Sequence, residues 1–406
     1  MTGRDSTTSG PAREILRGPM ALPPVSLAPA LLLLLAAEPA PPPAAPTDAG
    51  TPPAPLAPAA KPPEKPAPRT LRIRAVGDVN LGSEVPENQL PPEDGARLLE
   101  PVAPLLRDAD LTFVNLEGPL CDTGESTKCP GYGKKRRKPR KRTCYAFRTP
   151  TRYGQYLADA GVDVASTANN HAGDYGESCR RKTEATLDAL GIRWSGPAGS
   201  VASLERKGLK VAVVAFYNSA TTNDLNDHDA AEALVRRARE THDLVLVSFH
   251  GGAEGAKAQH VPEGTEMFLG ENRGDLRRFA HRVLDAGAAA VLGHGPHVPR
   301  ALELYRGRLV AYSLGNFATY GDFNLAGPNG LAPVLELELA EDGTFLRGRL
   351  IAARQVGEGE PQPDPSGAVI PLVQRLSRED FPLTAPLIRD DGEILPRDGA
   401  AATPAP

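Results

Sequence analysis

Cysteine is scarce in this 406-residue chain: Cys121, Cys129, Cys144 and Cys179 are its four, and no Cys-x-x-Cys pair occurs among them. That spacing argues against a structural zinc knuckle, whereas four cysteines suit an exported protein with up to two disulfides. Connectivity is not readable, although Cys129 and Cys144 bracket a loop that a disulfide could staple. A long apolar run is also missing. The stretch Ala30-Leu-Leu-Leu-Leu-Leu-Ala-Ala37 falls short of the ~20 residues needed to cross a bilayer. Preceded by Arg13 and Arg17 and followed by small residues, it resembles a secretory signal peptide, with Met20 as an alternative start and an uncleaved anchor as the competing reading. No cysteine directly follows the run, so lipid attachment there has no acceptor.

Proline is abundant but unevenly spread, and much of the N-terminal part cannot bury enough apolar area to fold. The expected layout is a leader over 1–37, a Pro/Ala-rich spacer over 38–69, one large domain over 70–356, and a mostly loose C-terminal extension over 357–406.

Within the large domain, apolar runs stop repeatedly at polar residues. The clearest is Ala288-Ala-Ala-Val-Leu-Gly-His-Gly-Pro-His297, which reads as a buried strand ending in a glycine-bracketed turn with His294 and His297 on it. Earlier strands behave alike. Leu71-Arg-Ile-Arg-Ala-Val-Gly-Asp78 ends in a carboxylate, Leu111-Thr-Phe-Val-Asn-Leu-Glu117 supplies Asn115 and Glu117, Val162 to His171 ends in Asn170-His171, and Leu244 to Gly252 ends in His250. Helical patterns lie between them, at Gly95 to Arg107, Arg152 to Ala160, Glu177 to Leu190, Asp229 to Thr241 and Asp275 to Ala286. Helices between strands imply crossover connections and largely parallel pairing, and ligands gather beyond the carboxyl ends of such strands. Asp78, Glu117, Asn170, His250, His294 and His297 are therefore candidates for one rim, able to hold one or two divalent metal ions such as Mn, Fe or Zn. Alternating segments from Ala301 to Ala352 with turns at Gly307 and Gly343 add antiparallel strands, giving a mixed two-sheet core. In Tyr312-Ser-Leu-Gly-Asn-Phe317 the glycine either lets backbone approach the site or marks a bulge.

Gly77-Asp78, Asn115-Leu-Glu117, Asn169-Asn-His171, His250-Gly, Gly293-His-Gly-Pro-His-Val298 and Tyr312-Ser-Leu-Gly-Asn-Phe317, in this order, resemble the capsule-synthesis CapA (poly-gamma-glutamate biosynthesis) family, related to calcineurin-like metallophosphoesterases. The resemblance spans Leu71 to Arg354 and implies an α/β fold, a four-layer α-β-β-α sandwich of two mixed sheets. It makes Asp78 and His297 ligands of one ion, Glu117 the bridging carboxylate, and Asn170, His250 and His294 ligands of a second. His171 would be catalytic, stabilising or protonating the leaving oxygen. The pattern departs from the phosphoesterases at three points: Asn80 stands where they carry histidine, Glu117 replaces aspartate, and one extra residue separates His294 from His297. On that basis the ion held by Asp78 and His297 is expected to be the weaker one. The resemblance implies an exported protein of anionic polymer biosynthesis, either a phosphoesterase-type hydrolase or a non-catalytic accessory to a membrane-bound synthase.

Outside these motifs lies a basic insertion over 130–144, whose run of Lys134, Lys135, Arg136, Arg137, Lys138, Arg140, Lys141 and Arg142 is interrupted only by Pro139. Removing these eight charges from the formal net of −4 leaves −12, so an acidic body carries a basic loop. Such a run is either a solvated loop or a hold on a polyanion. It lacks aromatics, and nucleic acid is not an expected partner.

Overall fold

The computed structural model describes residues 68–85, 88–129, 144–321 and 323–397. The leader, nearly all of the spacer, and the basic run lie outside the described residues. Among the described residues no helix is long and apolar enough to cross a membrane.

In chain order the strands are Thr70–Asn80 (β1), Leu111–Leu116 (β2), Val164–Ser166 (β3), Arg193–Ser195 (β4), Ala202–Arg206 (β5), Leu209–Tyr217 (β6) and Asn223–Asp224 (β7). They continue as Leu244–His250 (β8), Met267–Phe268 (β9), Glu271–Asn272 (β10), Ala290–His294 (β11), Leu302–Tyr305 (β12), Arg308–Ala311 (β13) and Asn316–Thr319 (β14). Val334–Ala340 (β15), Phe345–Ile351 (β16), Ala353–Val356 (β17), Glu360–Pro363 (β18), Leu387–Ile388 (β19) and Glu393–Leu395 (β20) complete the order. The α-helices are Ala103–Arg107 (α1), Gly154–Asp159 (α2), Gly176–Ala189 (α3), His228–Arg239 (α4), Leu276–Asp285 (α5) and Val369–Asp380 (α6).

Two mixed sheets carry the fold. The first runs β19-β20-β16-β15-β1-β2-β3-β4, with β14 also paired to β1, and the second runs β12-β13-β11-β8-β6-β5, with β7 beside β6. The strands whose ends bear the candidate ligands pair in parallel: β1 with β2, β2 with β3, and β8 with β11. The sheets pack face to face through Ile73 and Phe113 of one and Val211, Leu246 and Leu292 of the other. α1, α2 and α3 cover the outer face of the first sheet through Leu106, Leu157 and Leu187, while α4 and α5 cover the second through Val235, Phe279 and Val283. This is the four-layer order expected. Covered on both faces, β8 is buried along its whole length and needs an unbroken apolar sequence rather than an alternating one.

The helices follow local chemistry. Asp227 and Asp275 accept from the backbone N–H of Ala230 and Arg278, capping α4 and α5. The helix expected over Gly95 to Arg107 is reduced to a 3₁₀ turn, Pro92–Gly95, and the short α1. Pro101 explains the break, since it lacks an N–H and disfavours helical backbone in the residue before it, whereas Pro104 sits in the first turn of α1, where no N–H is needed. Residues 357–397, expected to be mostly loose, instead form β18, α6, β19 and β20. The cause is α6: Val369, Ile370, Val373 and Leu376 bury against the core, and β20 pairs with β16 at the edge of the first sheet.

All four cysteines are paired. Cys129 joins Cys144, and Cys121 joins Cys179, tying the segment after β2 to α3.

Candidate metal centre

Strand register assembles the site. Asp78 lies level with Asn115 on β2 and with Asn316 on β14, and His250 lies level with His294 on β11 and with Tyr217 on β6. The N-terminal half of β1 pairs with β15, and its last residues pair with β14 instead. Gly77 makes this switch feasible, because a Cβ there would lie 2.0 Å from the carbonyl oxygen of Gly315. The Asp78 N–H donates to that oxygen at 2.9 Å, and Gly315 has φ +68°. The glycine of Tyr312-Ser-Leu-Gly-Asn-Phe317 thus serves a close backbone approach.

Asp78, Glu117 and His250 are wholly buried. Asn115 Nδ2 donates to Asp78 Oδ1 at 2.7 Å and lies 3.3 Å from His250 Nδ1. Asn169 Nδ2 fixes Asn115 and β2 in turn, at 3.3 Å from Asn115 Oδ1 and 2.8 Å from the Leu116 carbonyl. His297 has φ +58° and donates from Nδ1 to Asn316 Oδ1 at 2.9 Å. Its Nδ1 also lies 3.0 Å from Asp78 Oδ2, and its Nε2 lies 3.6 Å from Glu117 Oε1. Glu117 Oε1 is 3.7 Å from His250 Nε2. One donor atom from each of Glu117, His250 and His297 falls within 4.8 Å of the others.

The other candidates are placed differently. His294 is buried but stands outside that three-donor cluster, donating from Nε2 to the Val76 carbonyl at 3.0 Å, with Nδ1 3.4 Å from Ser248 Oγ. Asn170 Oδ1 is buried without a hydrogen-bond partner, and its backbone carbonyl accepts from Lys128 Nζ at 3.1 Å. His171 donates from Nδ1 to the buried Asp174 Oδ2 at 2.7 Å, and its ring packs 4.4 Å from that of Phe147. Asn80 faces away from the chemistry: its Nδ2 donates to the Glu117 carbonyl at 2.8 Å and holds that backbone in place. His297 thus joins the three-donor cluster and His294 does not.

Charge is poorly compensated here. Burial raises the Asp78 carboxyl, but His297 and the other histidines outweigh it and hold the group below the usual carboxylate range. Burial pushes the Glu117 carboxyl well up against the charge of His297, with Asp78 adding to the rise. For His297 burial is overcome by Glu117 and Asp78, and the imidazole is raised. Burial lowers His250, His294 and His171 despite their carboxylate neighbours. Both oxygens of Glu117 and His250 Nε2 have no hydrogen-bond partner, and Asp78 Oδ2 faces only the His297 imidazole. Buried polar atoms are almost always satisfied, and a set of orphaned oxygen and imidazole donors converging on one point fits a divalent cation.

His171, Asn170 and His297 line a cavity of about 820 Å³, together with Lys128, Glu254 and Arg273. The last three come from loops, where spacing does not report proximity, whereas Asn316 lies in the Tyr312-Ser-Leu-Gly-Asn-Phe317 segment and Asp174 follows His171 by three residues.

The sequence model of the bacterial capsule synthesis protein family (PGA_cap) matches residues 72–320. The "PGA biosynthesis protein CapA" of Bacillus subtilis (strain 168) is 26% identical over 265 residues, covering 61% of this chain and 63% of that protein. The "Capsule biosynthesis protein CapA" of Bacillus anthracis is 24% identical, covering 72% of this chain and 69% of that one. A "Probable polyglutamine synthesis accessory protein" of Mycobacterium tuberculosis (strain ATCC 25618 / H37Rv) is 28% identical and covers 51% and 55%. Among solved structures, a 5'-nucleotidase precursor of Thermus thermophilus is similar at TM-score 0.38 and 11% identity, covering 70% of this chain and 54% of that one. The purple acid phosphatase PPD1 of yellow lupin is similar at TM-score 0.34 and 12% identity, covering 73% and 54%.

Proposed function

The chain belongs to the bacterial capsule synthesis protein family, and from that premise we propose that it is an exported, metal-dependent phosphoester hydrolase acting in the biosynthesis or export of an anionic surface polymer. The observation that carries this reading is the set of buried, unpartnered atoms of Glu117 and His250, with Asp78 and His297 against them, beside a cavity that His297 and His171 line. Asp78, Glu117, His250 and His297 would hold the first ion, and Asn170 and His294 would contribute to a second. Bound there, divalent ions would supply Lewis acidity toward phosphoryl oxygens and toward water.

The chain's own groups supply the rest. Asn115 and Asn316 orient Asp78 and His297 through the contacts already given. Asp174 fixes the Nδ1–H tautomer of His171, leaving Nε2 to carry a proton to or from the oxygen that leaves phosphorus. Phe147 packs on the His171 ring and keeps water from one of its faces.

A second reading is a polymer-binding accessory of a membrane-bound synthase. It is favoured by the withdrawal of His294 from the donor cluster, and the name of the mycobacterial relative agrees with it. The purified full chain decides between them. The hydrolase reading expects about one or two equivalents of Mn, Fe or Zn together with cleavage of bis(p-nitrophenyl) phosphate, both lost in His250→Ala. A folded, metal-free protein that still supports polymer production would overturn it.

A further inference from the structure

Two arginines lie buried in the loops that follow β10 and β11, and they are used differently. Arg300 is fully satisfied: Nη1 and Nη2 grip Glu266 at 2.8 and 2.9 Å, Nε donates to the Ala258 carbonyl at 2.7 Å, and Nη2 also reaches the Ala253 carbonyl. Arg273, only 2% exposed, is not. Its Nη1 pairs with Glu254 Oε1 at 3.1 Å, while Nε and Nη2 are buried with no hydrogen-bond partner.

Those two nitrogens form one edge of the guanidinium plane. Their N–H bonds run parallel, a geometry matched to two oxygens on a single carbon or phosphorus. A buried cation with half its donors unmet is costly unless a ligand completes it. Arg273 lines the same cavity as His297 and Glu254. Its backbone is fixed there, with its N–H donating to the Glu266 carbonyl and its carbonyl accepting from Gly252, each at 2.8 Å, so the side chain starts beside the exit of β8 and His250. The charge of Arg273 is close enough to reinforce the depression of the His250 imidazole that burial begins.

We propose that the unpaired Nε/Nη2 edge of Arg273 is an oxyanion subsite of the cavity, gripping a carboxylate or phosphoryl group of the substrate in bidentate fashion while Glu254 holds the opposite side of the guanidinium. This deepens the functional reading above and rests on it for the identity of the substrate. It adds a requirement: the substrate carries a two-oxygen anion within reach of the metal donors. The Glu254 carboxylate competes for the same cation and sets how tightly the anion is held.

The test is calorimetric titration of the purified full chain at low salt with inorganic phosphate and, separately, with glutarate. At least one should bind, and Arg273→Lys, which keeps the charge but loses the planar fork, should weaken that binding about tenfold or more. Glu254→Gln should tighten it severalfold by removing the competing carboxylate, a change in the opposite direction that a purely structural role for Arg273 does not produce. Thermal unfolding of each variant accompanies the titrations, and the Glu254→Gln result stands even if Arg273→Lys fails to fold. An Arg273-dependent response to phosphate alone assigns the subsite to a phosphoryl group, and one to glutarate alone assigns it to a carboxylate arm. If neither probe binds the wild-type chain, or if neither substitution changes the affinity, the proposal fails. Cleavage of bis(p-nitrophenyl) phosphate, followed in parallel, keeps the two ideas apart. Lost cleavage with intact Arg273-dependent binding sinks the hydrolase reading alone, and retained cleavage with Arg273-independent binding sinks the subsite alone.

Discussion

The imidazole Nδ1 of His171 lies 2.7 Å from Oδ2 of Asp174, three residues further on and wholly buried. A buried carboxylate in that position both selects a tautomer and fixes the ring. The same oxygen accepts from the Phe147 N–H at 2.8 Å, so one carboxylate sets the imidazole and the aromatic ring packed on it. For the hydrolase, His171→Ala should lower kcat by about a hundredfold or more. Asp174→Asn should lower it less, with KM nearly unchanged, as befits a positioning residue. Steady-state kinetics with bis(p-nitrophenyl) phosphate check both.

Metal should stabilise the fold as well as serve chemistry. An ion held at a hundred times its dissociation constant adds about 2.7 kcal/mol. Chelation should therefore lower the thermal midpoint of the wild-type chain. His297→Ala should lose most of that metal-dependent shift, because His297 belongs to the three-donor cluster. Unfolding scans with and without chelator, paired with elemental analysis, measure it.

Acid stability should depend on a carboxylate far from the cavity. Burial raises Glu303, but hydrogen bonds from His281, Tyr312 and Thr384 outweigh it and hold the group below the ordinary glutamate value. A depressed folded-state value contributes stability above the unfolded value of 4.5, and that contribution disappears as pH falls through the folded one. Thermal midpoints measured from pH 6 down to pH 3 should drop less steeply in Glu303→Gln than in the wild type.

The two disulfides should contribute unequally. Cys121–Cys179 closes a separation of 58 residues and Cys129–Cys144 one of 15. In the chain-entropy account the longer closure is worth about 1 kcal/mol more. Denaturant titration of the Cys121→Ser/Cys179→Ser and Cys129→Ser/Cys144→Ser pairs should rank them in that order.

The basic run should bind polyanion electrostatically. Affinity for poly-gamma-glutamate should fall steeply between low and high salt and vanish when Lys134 to Arg142 are neutralised. Affinity that does not respond to salt would exclude this role.

Much of the site was legible because a parallel sheet turns sequence into place: residues at the carboxyl ends of neighbouring strands must meet. Asp78, Glu117, His250 and His297 do so for that reason. His294 obeys the same register yet spends its Nε2 on Val76 of the opposite sheet, a contact set by the distance between sheets, which periodicity does not encode. Asn80 stands at a ligand position of the phosphoesterase pattern, but its amide supports the Glu117 backbone. Arg273, Glu254 and Lys128 come from loops, where spacing in the sequence says nothing about proximity. The C-terminal helix α6 was hidden by flanking prolines and polar residues, although its apolar face buries as a helical stripe should.

The split pairing of β1 has a consequence for the order of synthesis. Asp78 is among the first core residues to be made, while β14, which fixes the end of β1 and presents Asn316 to His297, is among the later ones. A truncated chain that stops before β14 carries all of the candidate donors but not the strand that pairs with the end of β1. In such a chain the last residues of β1, Asp78 included, would lack their β14 partner, and His297 would lack Asn316.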